Sequence, residues 1–381
     1  MDFALTEEQK AIFQMAYAFG QEKIAPFARE WEQDGTIPKE LWTDVGGLGF
    51  GGLYVSEDSD GAGLSRLEAT LVFEALAMAC PSVGSFLSIH NMVGGMIDKF
   101  GSPESKAKWL PDLISMNKVF SYCLTEPGSG SDASALRTKA ERTNEGYSLN
   151  GTKAFISGGG YSDAFLVMVR TGEEGSKGIS SMVVEHGAEG LSYGAFEDKM
   201  GWRSQPTSQV QFDDCKVPSE NLIGDEGQGF SYAMAGLDGG RLNISAGALG
   251  GAQSALTAAL NYMGERKAFG KTIDSFQALQ FKVADMEIEL QAARVFLRQA
   301  AWKLDTGAPD AAKHCAMAKR FVTDVAFNVS NDALQLYGGY GYLADYGIEK
   351  IVRDLRVHQI LEGTNEIMRM ITARHLLAER Q

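Results

Sequence analysis

Apolar residues recur at helical spacing through the first third of the chain, gather in short β-rich runs through the middle, and return to helical spacing for the last third. Thr6 with Gln9 forms a capping box, and Ile12, Met15, Ala16 and Phe19 follow it three or four residues apart. Further helices are predicted over 38–45, 67–79 and 82–99, and another is opened by Ser102-Pro103-Glu104, with Ser as cap and Pro in the first turn. Residues 1–117 therefore predict an α-helical domain. From Val119 the texture changes to runs at 119–125, 146–156, 164–170, 179–185 and 209–217, split by turn residues. Asn150-Gly151 predicts a hairpin turn and Glu145-Gly146 another. A middle antiparallel β-barrel over 118–229 is the natural packing for so many short strands without helices between them.

After Phe230 the strands stop. Leu242, Leu249, Leu256, Leu260 and Met263 mark one stripe, and Val283, Met286, Leu290, Ala293, Leu297, Ala300 and Leu304 a second. Ala318, Val322, Val325 and Val329 begin a third, and 367–377 supplies a fourth, so 230–381 predicts a C-terminal four-helix bundle. Helices of about twenty-four residues run about 35 Å. Their wide apolar faces favour a symmetric oligomer.

The chain has 381 residues, a formal charge of −14, 44% hydrophobic and 22% charged residues. Such a net anion without any run of Lys or Arg argues against nucleic acid or an anionic membrane as partner. No apolar run is long enough to span a bilayer, and Met1-Asp2-Phe3 leads into an acidic amphipathic helix rather than a cationic signal. The expectation is a soluble, non-secreted protein. Cys80, Cys123, Cys215 and Cys315 lie far apart without metal-ligand spacing and are expected to be packed thiols, with no metal site.

The candidate chemistry centres on 358–366, His-Gln-Ile-Leu-Glu-Gly-Thr-Asn-Glu. Glu362 falls in a short connection between two helical patterns, Gly363 permits a sharp turn and Thr364 is a good N-cap, which together make a workable seat for a general base. Burial raises such a carboxyl and a nearby helix N-terminus lowers it, so the net direction stays open. Gly47 to Gly52 satisfies G-x-G-x-x-G formally, but a helix precedes it where the dinucleotide fingerprint needs a strand, and a turn explains it. Tyr122-Cys123-Leu124-Thr125-Glu126-Pro127-Gly128-Ser129-Gly130-Ser131 leaves a strand as a Gly/Ser-rich loop able to bond a flat heterocycle and a phosphate, or to act only as a turn. Phe155-Ile156-Ser157 ends another strand in a run of glycines and suits stacking on a ring. Asp238-Gly239-Gly240-Arg241 is placed at the start of a long helix, where two glycines cost about 1 kcal/mol each unless something approaches the backbone. Arg266 with Phe269-Gly270, and Gln335 with Gly338-Gly339, stand at helix ends where an anion could be anchored.

In this order and over nearly the whole chain, these stretches resemble the acyl-CoA dehydrogenase family of flavoenzymes. Residues 122–131 resemble its first flavin signature, and 353–369 its second. The resemblance implies three domains, a homotetramer, FAD as cofactor, an acyl-CoA substrate and electron-transfer flavoprotein as acceptor. It implies that Glu362 removes the α-proton of the thioester. It further implies that Tyr122, Leu124, Thr125, Gly130, Ser131, Phe155, Ile156 and Ser157 line the flavin, and that Thr364, Asn365 and Glu366 touch the cofactor near the base. Arg266, Phe269, Phe276, Gln277, Gln335, Leu336, Gly338 and Gly339 would hold the cofactor of a neighbouring subunit. Ser131, Asp238, Gly239, Gly240, Arg241, Gly363 and Arg374 match substrate-contacting positions. Some family members carry the base on the helix near Arg241; that position is Gly240 here, which leaves Glu362. A short 2-methyl-branched acyl group is the expected substrate, with a short straight chain next; an acyl-CoA oxidase and a non-catalytic helical assembly are the rivals. The compartment expected is the bacterial cytoplasm, or the mitochondrial matrix after removal of a transit segment.

Overall fold

The computed structural model describes residues 4–380; the lead Met1-Asp2-Phe3 lies outside the described residues. Helix α1 (Glu7–Phe19) opens with the Thr6 capping box, the Gln9 N–H donating to Thr6 Oγ1 and the Thr6 N–H to Gln9 Oε1, both at 3.2 Å. There follow α2 (Ala28–Asp34), α3 (Lys39–Gly47), α4 (Arg66–Ala79), α5 (Pro81–Phe100) and α6 (Pro103–Ile114). A second capping box, Ser65 with Glu68, starts α4, and Ser102 caps α6. Gly49 turns with φ +77° between α3 and a short 3-10 segment, so the G-x-G-x-x-G match is a turn here.

Strands β1 (Phe120–Cys123), β2 (Lys139–Arg142), β3 (Gly146–Ser157), β4 (Ala164–Arg170), β5 (Ile179–Glu185), β6 (Leu191–Tyr193), β7 (Thr207–Pro218) and β8 (Leu222–Ile223) form one eight-stranded sheet, ordered β6-β7-β3-β2-β4-β5-β8, with β1 beside β4. The sheet is mixed rather than purely antiparallel, because β4 pairs in parallel with both β1 and β2. The hairpin expected at Asn150-Gly151 is absent. These two residues sit inside β3 at a register shift, where Asn150 bonds the Asp214 N–H at 2.9 Å and a Cβ on Gly151 would fall 2.7 Å from Thr138 Cα. An Asn-Gly pair serves a bulge and a close strand approach as readily as a turn. The chain does turn just before Gly146, whose carbonyl accepts from the Thr143 N–H.

Helix α7 (Gly229–Glu265) is followed by a small hairpin, β9 (Lys267–Ala268) and β10 (Lys271–Thr272), then α8 (Gln277–Asp305), α9 (Ala311–Leu336), α10 (Ile348–Arg356) and α11 (Asn365–Ala378). At 37 residues α7 is much longer than the periodicity indicated, so Asp238 to Arg241 lie two to three turns inside it rather than at its start. Of the fourth stripe only Met368 is buried among the apolar positions, and Leu376 and Leu377 are exposed, as is Leu260. The two helical regions share one apolar core: Phe73 and Leu76 of α4 cluster with Leu249 and Leu256 of α7, Leu297 of α8 and Val322 of α9. Every residue of α4 from Ala69 to Ala77 is buried, which is what a helix clasped on all sides requires. No helix among the described residues is long and apolar enough to cross a membrane, and all four cysteines are buried and free.

Candidate active site

The corner between α10 and α11 holds Glu362 in a left-handed backbone conformation, φ +52°, followed by Gly363 at +90°. Two such residues in succession reverse the chain within one turn, and Thr364 then caps α11 by accepting the Ile367 N–H at 3.3 Å. A left-handed glutamate is strained, and strain of this kind survives only where the surroundings fix it. Oε2 of Glu362 is buried and accepts no hydrogen bond, and its backbone N–H has no acceptor among the described residues. Burial pushes the carboxyl up to about 7, against the opposing positive charges of Lys319 and Arg241. The open direction is thus settled in favour of burial.

Glu362 faces α7 at Gly240, where a Cβ would lie 2.3 Å from Oε2 and 3.1 Å from Met92 Sδ. Next to it, a Cβ on Gly239 would meet Arg66 Nη1 at 2.5 Å. These two glycines answer to side chains of α4, α5 and the base corner pressing on the helix. Arg241 is buried, paired with Asp238 three residues earlier, and keeps Nε without a partner. Asp238 is raised by burial, opposed by Arg241, His375 and Lys99. Arg374, expected beside it, lies exposed on α11. Tyr122, at the end of β1, has a buried hydroxyl with no partner, raised by burial and by the charge of Glu362. The end of β1 and the Glu362 corner therefore meet at one place.

The loop after β1 is pinned rather than loose. Glu126 accepts the Arg137 and Thr138 N–H groups at 2.6 and 2.8 Å and the buried Lys153 ammonium at 2.8 Å, while Lys153 also reaches the Leu124 carbonyl. The Ala154 N–H donates to Thr125 O, tying the loop to β3. Gly128, Gly130 and Ser131 remain exposed at its tip. Phe155 has φ +57° and stands 69% exposed, an uncovered ring beside Ser157. Ile156 points the other way, into the β core, so its side chain is removed from the flavin-lining set. The left-handed Phe155 lies where the register with β7 shifts between Lys153 and Ile156, and the side chains of Phe155 and Ile156 part there. Asn365 also departs from expectation: its side chain turns inward to Lys319, Thr323 and Asp324, leaving only backbone for a cofactor. Glu366 is exposed and paired with Arg369.

At the far end of α7, Arg266, Gln335, Leu336, Gly338 and Gly339 line one cavity of about 520 Å³. Phe269, 95% exposed, packs edge-on against Phe276 close by, at the start of α8 where Gln277 lies. Twenty-six residues of helix separate Gly240 from Arg266, about 39 Å at 1.5 Å per residue, so one bound cofactor cannot touch both within a chain. The residues present fit a flavin nucleotide: an open Gly/Ser loop, an uncovered ring and an orphan phenol near Glu362, and a glycine-floored cavity with an arginine elsewhere.

Tyr54, Arg66, Met92 and Lys319 are absent from the sequence-derived set. Tyr54 comes from a loop and Arg66 from the first turn of α4, and they meet only in space, the guanidinium 3.5 Å over the ring. Lys319 did carry a signal, a charged residue on the apolar stripe that includes Ala318 and Val322.

Residues 6–117, 121–215 and 227–377 match the N-terminal, middle and C-terminal domains of acyl-CoA dehydrogenase, and the chain belongs to the acyl-CoA dehydrogenase family of oxidoreductases. It is 54% identical over 373 residues to the mitochondrial isobutyryl-CoA dehydrogenase of Dictyostelium discoideum, covering 98% of this chain and 90% of that one. Among solved structures, butyryl-CoA dehydrogenase of Megasphaera elsdenii superposes with a TM-score of 0.95 at 40% identity, covering 99% of this chain and all of the other. A chain from a structure described as the electron transferring flavoprotein of Acidaminococcus fermentans gives 0.96 at 42%, with 99% and 100% covered.

Proposed function

We propose that this chain dehydrogenates the Cα–Cβ bond of a short, 2-methyl-branched acyl-CoA, isobutyryl-CoA going to methacrylyl-CoA, with Glu362 as the base and FAD as the cofactor. The observation that carries it is the Glu362 carboxylate, buried, unpartnered through Oε2 and raised to about 7, set against Tyr122 and Gly240. A base poised near the working pH accepts a proton efficiently and releases it again for the next turnover. The free N–H of Glu362 can donate to the thioester oxygen as negative charge builds there, a stabilisation that counts for more in a site closed to water. Bound flavin supplies the hydride acceptor for the β-carbon. Phe155 and the 122–131 loop would hold its ring, and the Arg266 cavity the remainder of a neighbouring subunit's cofactor.

That division of labour needs an oligomer. Phe281, Ile288, Val295 and Trp302 of α8 are exposed at intervals of seven residues, a seam suited to another helix of a second copy. A homotetramer is the proposed assembly and an electron-transfer flavoprotein the proposed acceptor, in the bacterial cytoplasm or the mitochondrial matrix. The test is anaerobic titration of the yellow protein with isobutyryl-CoA, 2-methylbutyryl-CoA and butyryl-CoA. Bleaching fastest with isobutyryl-CoA, and slow reoxidation by oxygen, is the expected result. Preference for butyryl-CoA would overturn the substrate, and no bleaching by any ester the reaction itself.

A further inference from the structure

Against the Glu362-Gly363 corner stands a lysine that no part of the proposed chemistry uses. Lys319 of α9 is completely buried, with Ala316, Ala318 and Val322 buried beside it on the same helix. A buried ammonium is retained only where it is bonded and paired. Its Nζ donates to the Gly363 carbonyl at 2.8 Å and to Asn365 Oδ1 at 2.9 Å. Gly363 is the second residue of the strained turn, directly after Glu362, and Asn365 begins α11. Asn365 is itself locked, donating to Asp324 Oδ1 at 2.7 Å and Thr323 Oγ1 at 3.0 Å.

We propose that Lys319 is the positioning residue of the base: it bolts the left-handed Glu362-Gly363 turn to α9 and keeps a positive charge near the carboxylate. This rests on the reading of Glu362 as the base and adds to it what holds and tunes that base. Releasing the Gly363 carbonyl would free the turn to relax from φ values that a glutamate avoids, and a displacement of about 1 Å can cost about 10²-fold in rate. The charge acts separately. Facing Glu362 are Lys319 and Arg241 as cations, with the phenols of Tyr54 and Tyr122; facing Lys319 are Glu362, Arg241, Asp324 and Glu366, with the buried imidazole of His358. Lys319 is the stronger of the two cationic influences on the carboxyl. Burial brings Lys319 itself down to about 8, so it is charged where the base must ionise. Since its charge favours the carboxylate, removing it moves the ionisation of Glu362 to higher pH.

The test compares FAD-loaded wild type, Lys319→Met, Lys319→Arg and Glu362→Gln, with kcat and KM measured from about pH 5.5 to about pH 9. For Lys319→Met the expected result is a kcat lower by about 10–100-fold, KM within about threefold, and an acid limb of kcat/KM displaced upward by at least about half a pH unit. Lys319→Arg keeps the charge, so its acid limb stays at the wild-type position while kcat falls. A lysine that merely packs the bundle would leave the limb where it is. A wild-type limb in Lys319→Met, or a loss carried wholly in KM, overturns the proposal. Should Lys319→Met fail to take up FAD, Lys319→Arg decides alone, an unchanged kcat or a displaced limb counting against. Wild-type rate in Glu362→Gln would instead overturn the base assignment, independently of what Lys319 does.

Discussion

A methyl carbon built on Gly240 would lie 2.3 Å from Oε2 of Glu362, so the middle of α7 and the α10–α11 corner contend for one point in space. The carboxylate can stand where it does only because α7 carries no side chain there. Gly240→Ala is expected to push the carboxylate and Met92 aside, lowering kcat by about 10–100-fold with flavin content unchanged. Steady-state assays beside the absorption spectrum check this, and a kcat within about twofold of wild type would show that the corner yields freely.

Glu362→Gln keeps size and shape while removing the proton acceptor. The expected outcome is full FAD binding and a rate of flavin reduction lower by about 10²–10⁴-fold, the span of a positioned base. Rapid-mixing spectroscopy under anaerobic conditions measures it. For the wild-type protein the same rate should climb with pH up to about 7 and level off above, because only the ionised carboxyl can take the proton. A flat profile through that range would assign the limiting proton transfer elsewhere.

Lys153 and Glu126 form a buried ion pair at 2.8 Å beneath the Gly/Ser loop. Lys153→Met leaves a buried carboxylate without its counterion, which costs about 3–5 kcal/mol. The melting temperature should fall and FAD should dissociate more readily. Adding Glu126→Gln should recover part of the loss, as read by thermal denaturation followed through flavin fluorescence; a Lys153→Met protein as stable as wild type would show that the pair holds nothing.

His90 and His358 are fully buried and lowered to about 4 by burial, from 6.5 in an open chain. Below 6.5 the unfolded chain takes up protons that the folded one refuses until about 4. Stability therefore falls as pH drops through that window, by up to about 3 kcal/mol for each histidine. Denaturant midpoints at about pH 7 and about pH 5 measure it, and a His90→Gln variant, if folded, should lose less over the same interval. Equal midpoints at both pH values would contradict the assigned protonation.

Much was legible in the chain because the physics is local. Capping boxes at Thr6 and the switch from strands to long helices near Gly229 depend on neighbouring residues and on periodicity, and Glu362-Gly363-Thr364 announces a turn followed by a helix. Asn150-Gly151 shows the limit: the same dipeptide suits a hairpin or a bulge, and β7 lying alongside decides which. Only the tertiary structure could bring Tyr54, Met92, Gly240 and Lys319 to Glu362 from one loop and three helices, or send Ile156 and Asn365 inward, since those outcomes depend on which faces pack and not on what precedes or follows each residue. The raised carboxyl of Glu362 belongs to the same class, because burial is a property of the assembled chain.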